Sequence, residues 1–105
     1  MLSIHDVMLD AITAMRPFVR EIERHDRDLG SQLKRAASSV VLNLAEGSGS
    51  FGGVRTQRYR TALGSARETM ACLHVAERFG YVEAMPAELV ATMNRVIGTL
   101  VRVAA

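Results

Sequence analysis

The stretch Arg35-Ala36-Ala37-Ser38-Ser39-Val40-Val41-Leu42-Asn43-Leu44-Ala45-Glu46-Gly47 carries two stripes at once. Leu29, Leu33, Ala37, Val40, Leu44 and Gly47 recur at four- and three-residue steps, which places about one residue per turn along one side of a helix. Arg35, Ser39, Asn43 and Glu46 recur at the same spacing on another side. Helical periodicity therefore predicts a helix over 29–47, with one apolar and one polar face.

The same apolar rhythm appears three more times. Ile4, Met8, Ala11, Met15, Phe18 and Ile22 predict a helix over 4–26. Tyr59, Leu63, Ala66, Met70 and Leu73 predict one over 54–79, and Leu89, Met93, Val96, Leu100 and Val103 one over 86–103. No segment shows the strict alternation and β-branched enrichment of a half-buried strand. Punctuation agrees: Asp26, Asp28 and Gly30 separate the first pair, with Asp28 or Ser31 expected to cap the next helix. The run Gly47-Ser48-Gly49-Ser50-Phe51-Gly52-Gly53 makes the second break, since glycine weakens a helix interior. Gly80 suits a left-handed helix terminus and Pro86 the first turn of the last helix. Short connections make neighbouring helices antiparallel, so the expected fold is all-α, an up-and-down four-helix bundle in one domain, 1–105.

A chain of 105 residues, 49% apolar, with formal net charge +2, is long enough for one core and too apolar for disorder. No apolar run approaches the length of a membrane span. No secretory signal is visible, and the lone Cys72 fits a reducing, cytoplasmic setting. Charge is uneven. Lys34, Arg35, Arg55, Arg58, Arg60 and Arg67 face Glu46 alone across 31–67, a balance of +5, whereas the flanking parts are slightly acidic. Such a cluster fits a polyanion footprint as well as a solvated face.

Apolar residues also lie off the core stripes. Val90, Ile97 and Val101 form a second stripe on the last helix, and Leu42 points away from the seam of the second. A helix apolar over that much of its circumference is buried on more than one side, so self-association through Leu42, Val90, Ile97 and Val101 is expected. Gly64 and Gly98, inside predicted helices, suggest close approach of another backbone, from the bundle or from a second chain. Pro17, opposite the core stripe, predicts a bend in the first helix.

No catalytic set assembles from the sequence. His5, His25 and His74 lack metal-ligand spacing, and Cys72 and His74, two apart, point in different directions on a helix. Gly47, Gly49 and Gly52 spell Gly-x-Gly-x-x-Gly, but the dinucleotide fingerprint needs a strand before it, and Gly53 stands where a phosphate-binding loop needs Lys. No metal, cofactor or small-molecule substrate is expected. Two polar stripes remain: Arg35, Ser39, Asn43 and Glu46, and Thr61, Ser65, Glu68 and Cys72. Each is expected away from its core seam, as a solvated face or as a hydrogen-bonded seam between helices or subunits in which Arg35 meets Glu46 or Glu68.

The stretch 35–47 resembles the Arg-Ala-x-x-Ser-Ile-x-x-Asn-Ile-Ala-Glu-Gly signature of the bacterial four-helix proteins encoded in intervening sequences of large-subunit ribosomal RNA genes. Ala62-Leu63-Gly64-Ser65-Ala66-Arg67-Glu68 is similar to that family's second block, Ala-x-Gly-Ser-x-x-Glu, and Gly80-Tyr81-Val82 to the end of its third helix. Val41 departs from a frequent Pro, and Leu63 from a common basic residue. The resemblance implies a homopentamer of up-and-down bundles, with distant similarity to the accessory variability determinant of diversity-generating retroelements, a basic bundle that works with nucleic acid. The expected function is a non-enzymatic, ring-forming binding or scaffold protein. In it Lys34, Arg35, Arg55, Arg58 and Arg60 contact RNA or a ribonucleoprotein. The alternative is a purely protein-binding scaffold with no nucleic-acid role.

Overall fold

The computed structural model describes residues 3–105, so residues 1 and 2 of the expected domain lie outside it. Four helices follow in order: α1 (Ile4–His25), α2 (Arg27–Ser48), α3 (Gly52–Arg78) and α4 (Ala87–Val103). The described residues contain no strand.

Local chemistry sets each boundary. Ser3 caps α1 by accepting from the Asp6 amide at 3.1 Å, and Arg24 and His25 sit favourably at the negative end of its dipole. Pro17 lies inside this helix without ending it. A single residue, Asp26, separates α1 from α2. It is extended (φ −151°, ψ 97°), its amide donates to the Ile22 carbonyl, and its Oδ1 accepts from the Leu29 amide at 3.0 Å. One side chain thus ends one helix and caps the next, and α2 starts two residues earlier than expected; Asp28 and Ser31 are not the cap.

The glycine-rich break is also shorter than its composition suggests. Only Gly49, Ser50 and Phe51 separate α2 from α3. Gly47 stays helical and buried because the Tyr59 ring packs against it: a Cβ there would lie 2.5 Å from Tyr59 Cε1. At the far end of α3, Gly80 takes φ +77° as expected. The Tyr81 amide donates to the Ala76 carbonyl at 2.9 Å and the Gly80 amide to that of Glu77 at 3.0 Å, a Schellman closure. Pro86 stands just outside α4 as its N-cap, with φ −55°.

Contacts at opposite ends fix the antiparallel order. Glu23 near the end of α1 meets Lys34 near the start of α2 (2.8 Å), and Glu46 near the end of α2 meets Arg58 near the start of α3 (2.9 Å). Arg60 Nε donates to the Ala104 carbonyl at 3.2 Å, joining the start of α3 to the end of α4. α4 closes the bundle against α3 and α1. Met8, Met15, Ile22, Leu33, Val40, Leu73, Met93, Val96 and Leu100 fill the centre with no or almost no exposure. Val103, expected in the core stripe, is 48% exposed, because the bundle has no neighbour for it at the end of α4.

The most extensive helix pair is α2 with α3. Small residues make this possible: Ala36, Ala62 and Ala66 are buried on the two helices, while Ala37 lies toward α1. α3 is the longest helix, 27 residues against 17 in α4, so the α2–α3 turn reaches past the end of α4, while the start of α1 lies beside Leu44, Ala45, Ser48 and Tyr59. Arg60 is level with the last residues of α4, yet α3 begins eight residues earlier. At about 1.5 Å per residue, roughly 12 Å of hairpin therefore projects beyond α4. Phe51, Gly52, Gly53, Val54 and Arg55 on this tip are all exposed.

Candidate interaction surface on the α2–α3 hairpin

Within the signature stretch, inward and outward residues separate. Ser65 Oγ donates to Ser39 Oγ at 2.7 Å, and Asn43 Nδ2 donates to Ser39 Oγ at 3.0 Å and to the Ser39 carbonyl at 2.9 Å. Asn43 is buried, and Ser39 and Ser65 are half-buried. The two polar stripes therefore do not lie wholly away from the packed side, as periodicity alone suggested. Their serines and the asparagine form a hydrogen-bonded seam between α2 and α3, leaving Arg35, Glu46, Thr61 and Glu68 outside. Cys72, expected in an outer stripe, is 6% exposed and sits in the core cluster. Burial pushes its thiol above the ordinary range, and the Glu68 charge adds to that shift, so the sulfur stays protonated and weakly nucleophilic.

Arg35 and Glu46, but not Thr61 or Glu68, line a shallow groove of about 480 Å³ along α2 with Ser39 and Asn43 in its wall, Lys34 and Arg35 toward one end and Glu46 and Arg58 toward the other. Leu42, 61% exposed, belongs to this groove. Arg35 makes no ion pair with Glu46 or Glu68 among the described residues: it stands eleven residues, about 16 Å, from Glu46 along α2, and Glu46 pairs instead with Arg58 of the facing helix. A second groove of about 350 Å³ runs between α1 and α2, with Ile12, Met15, Val19 and Ala37 among its lining and Arg16, Arg20 and Lys34 beside them.

The five basic residues do not form one patch. Lys34, Arg35 and Arg58 share the α2 groove. Arg55 lies over the Tyr59 ring, 5.4 Å from its centroid, and Arg60 is turned toward the end of α4. All five side chains are nevertheless exposed. Of the residues expected to meet another copy, Leu42 and Val101 (46%) are exposed, while Val90 and Ile97 are half-covered by packing against the core. Gly64 and Gly98 have nothing within 4 Å of where a Cβ would stand, so nothing in this chain requires a glycine at either position.

Three aromatic residues have surroundings that the sequence alone does not show. Phe51 is 86% and Phe79 69% exposed, and Tyr81 stacks between Phe79 (5.5 Å) and His25 (5.1 Å). The only available signal for Phe51 was an aromatic residue standing alone in a glycine-serine run. Among the described residues, no group of three or more His, Cys, Asp or Glu side chains is placed to hold a metal. No described helix is long and apolar enough to cross a membrane.

Together the geometry defines an antiparallel four-helix protein whose conspicuous sequence blocks build one helix–helix seam and whose exposed features gather on the same hairpin. A family model described as "23S rRNA-intervening sequence protein" matches residues 6–102, and the chain belongs to that family. Its fold is shared by a crystal structure of a protein of unknown function from the S23 ribosomal protein family of Bacteroides thetaiotaomicron. The TM-score is 0.77 at 16% identity, covering 97% of this chain and 98% of that one. A search of curated proteins finds no match.

Proposed function

We propose that the chain is a non-enzymatic, self-associating bundle, assembled as a pentamer, that binds RNA or a ribonucleoprotein through the α2–α3 hairpin. The observation that carries this reading is the exposure of Lys34, Arg35, Arg55, Arg58 and Arg60 on that hairpin. Two of them are held by carboxylates, Lys34 by Glu23 and Arg58 by Glu46, but these pairs are solvent-exposed. Exposed pairs contribute about 0–1 kcal/mol, so an incoming phosphate displaces them at little cost. Self-association is supported by exposed Leu42 and Val101 and by the open space over Gly64 and Gly98. Repetition of the hairpin around a ring multiplies weak phosphate contacts.

A gel-shift titration with a ribosomal RNA fragment tests the reading. Binding is expected at about 50 mM salt and is expected to weaken steeply by about 200 mM. Changing both Arg55 and Arg58 to Glu should abolish it with helicity intact. Absence of any shift at the lower salt overturns it. The second reading, a protein-binding scaffold, is favoured by the apolar groove between α1 and α2. It is supported instead if protein free of nucleic acid holds a stoichiometric host protein that a change in the groove at the half-buried Val19, Val19→Glu, releases with helicity intact.

A further inference from the structure

We infer that the projecting tip of the α2–α3 hairpin docks single-stranded RNA, with Phe51 stacking on an unpaired base and Arg55 and Arg58 holding the flanking phosphates. This rests on the RNA-association reading and names the nucleic-acid form and the contact residue that reading leaves open.

Three observations converge on the tip. Among the described residues Phe51 is the most exposed of the large apolar side chains, 86% in contact with solvent, and belongs to no aromatic pair. It stands on the segment that extends past α4, so the core gains nothing from it. The charge in its stretch of sequence is predominantly positive. From Ala45 to Arg60, Arg55, Arg58 and Arg60 face Glu46 alone, and Glu46 is already paired with Arg58. Arg55 is braced over the Tyr59 ring, which presents its guanidinium beside the first turns of α3.

The opposite end of the bundle makes the contrast. Phe79 is also exposed, but its face is taken up by stacking on Tyr81, and its neighbours carry both signs, Glu77 and Glu83 with Arg78. An unstacked aromatic face with arginines in excess is the better place for a base and its phosphates. Exposed aromatic side chains beside cations are the way proteins hold unpaired bases, because every base offers a π-face for stacking. A duplex keeps its bases stacked internally, so the tip fits a single strand.

The test uses fluorescence anisotropy of a labelled 12-nucleotide single-stranded RNA and of the same sequence as a duplex, with the full chain. Phe51→Ala is expected to weaken single-strand binding about tenfold, Phe51→Leu to do the same, and Phe51→Trp to preserve it. The chain has no tryptophan, so Trp at position 51 is a unique reporter, and its emission should be quenched by the single strand and unchanged by the duplex. Arg55→Gln and Arg58→Gln should each lower the salt slope by about 0.7. If the unaltered chain binds RNA and all Phe51 variants match it, the tip assignment fails while RNA association stands. If the unaltered chain does not bind, both fail. If Phe51→Ala lowers the mass of the assembly and leaves RNA affinity alone, the tip is a contact between copies and the assignment is overturned.

Discussion

Ser65 of α3 and Ser39 of α2 share a 2.7 Å hydrogen bond, and that one contact joins the two blocks by which the family is recognised. With Asn43 also donating to Ser39, the seam brings two helices together through side chains too short to hold them apart. Such a pattern needs no ligand to explain it. It is a specification for helix packing, and the outward residues between its members are what remain available for partners.

The seam sets the first expected result. Ser65→Ala removes one bond while Asn43 still donates to Ser39, so a loss of about 0.5–1.5 kcal/mol is expected in denaturant unfolding. Ser65→Leu should cost more, because added volume must separate α2 from α3. A cycle of Ser39→Ala and Ser65→Ala should show coupling. Strict additivity of the two changes would mean that the bond contributes nothing.

Glycine positions should divide into two classes. Gly47→Ala drives a methyl into the Tyr59 ring, which is 2.5 Å from the added carbon, and should destabilise by about 1–3 kcal/mol. That outweighs the helix-propensity gain of up to about 1 kcal/mol. Gly64→Ala meets open space within the chain, so its helical content and protomer stability should hold or rise. If a second copy closes over this position, the same change lowers the mass measured by light scattering.

Val101 gives a more direct reading of assembly. It is 46% exposed on α4, whereas Val90 and Ile97 are half-covered by their own chain. Val101→Glu should leave the circular dichroism spectrum unchanged and reduce the assembly to single chains at tens of micromolar, about the range where such contacts are populated. An unaltered single-chain mass for both proteins would remove the basis for a ring.

Cys72 predicts a pH effect with a definite sign. Its folded pKa is raised, so the folded state holds this proton more tightly than the unfolded state does. The associated stability is fully present below the unfolded thiol pKa of about 8.5 and is lost as pH rises through the higher folded value. Unfolding free energy measured from pH 7 to 10 should therefore fall more for the native chain than for Cys72→Ala. A thiol reagent at pH 8 should label the sulfur slowly until denaturant is added.

Much of this architecture was readable in advance. Four- and three-residue spacing located all four helices, and Gly80 announced its own left-handed turn, because both depend on residues close in sequence. The errors were equally physical. Asp28 and Ser31 were plausible caps, but only folding shows that extended Asp26 serves both neighbouring helices. Gly47 belongs both to the apolar stripe of 29–47 and to the glycine-rich break, and only the ring twelve positions later, packed against it, shows why a glycine stands inside the helix. Periodicity leaves Asn43 either in a solvated face or in a seam between helices, and its bonds to Ser39 put it in the seam, whereas Cys72, expected outside, is buried in the core.

Sequence periodicity and punctuation alone settled the number of helices, the greasy stripe on each and the residues at which the chain turns, since those follow from backbone geometry over a few neighbouring positions. Which second face would be covered was decided only when α2 and α3 came together. Burial on a helix flank depends on the width and angle of the adjoining helix, and that helix is chosen by contacts between residues far apart in the chain. The same docking left the α2–α3 turn projecting, with Phe51 and its arginines in solvent.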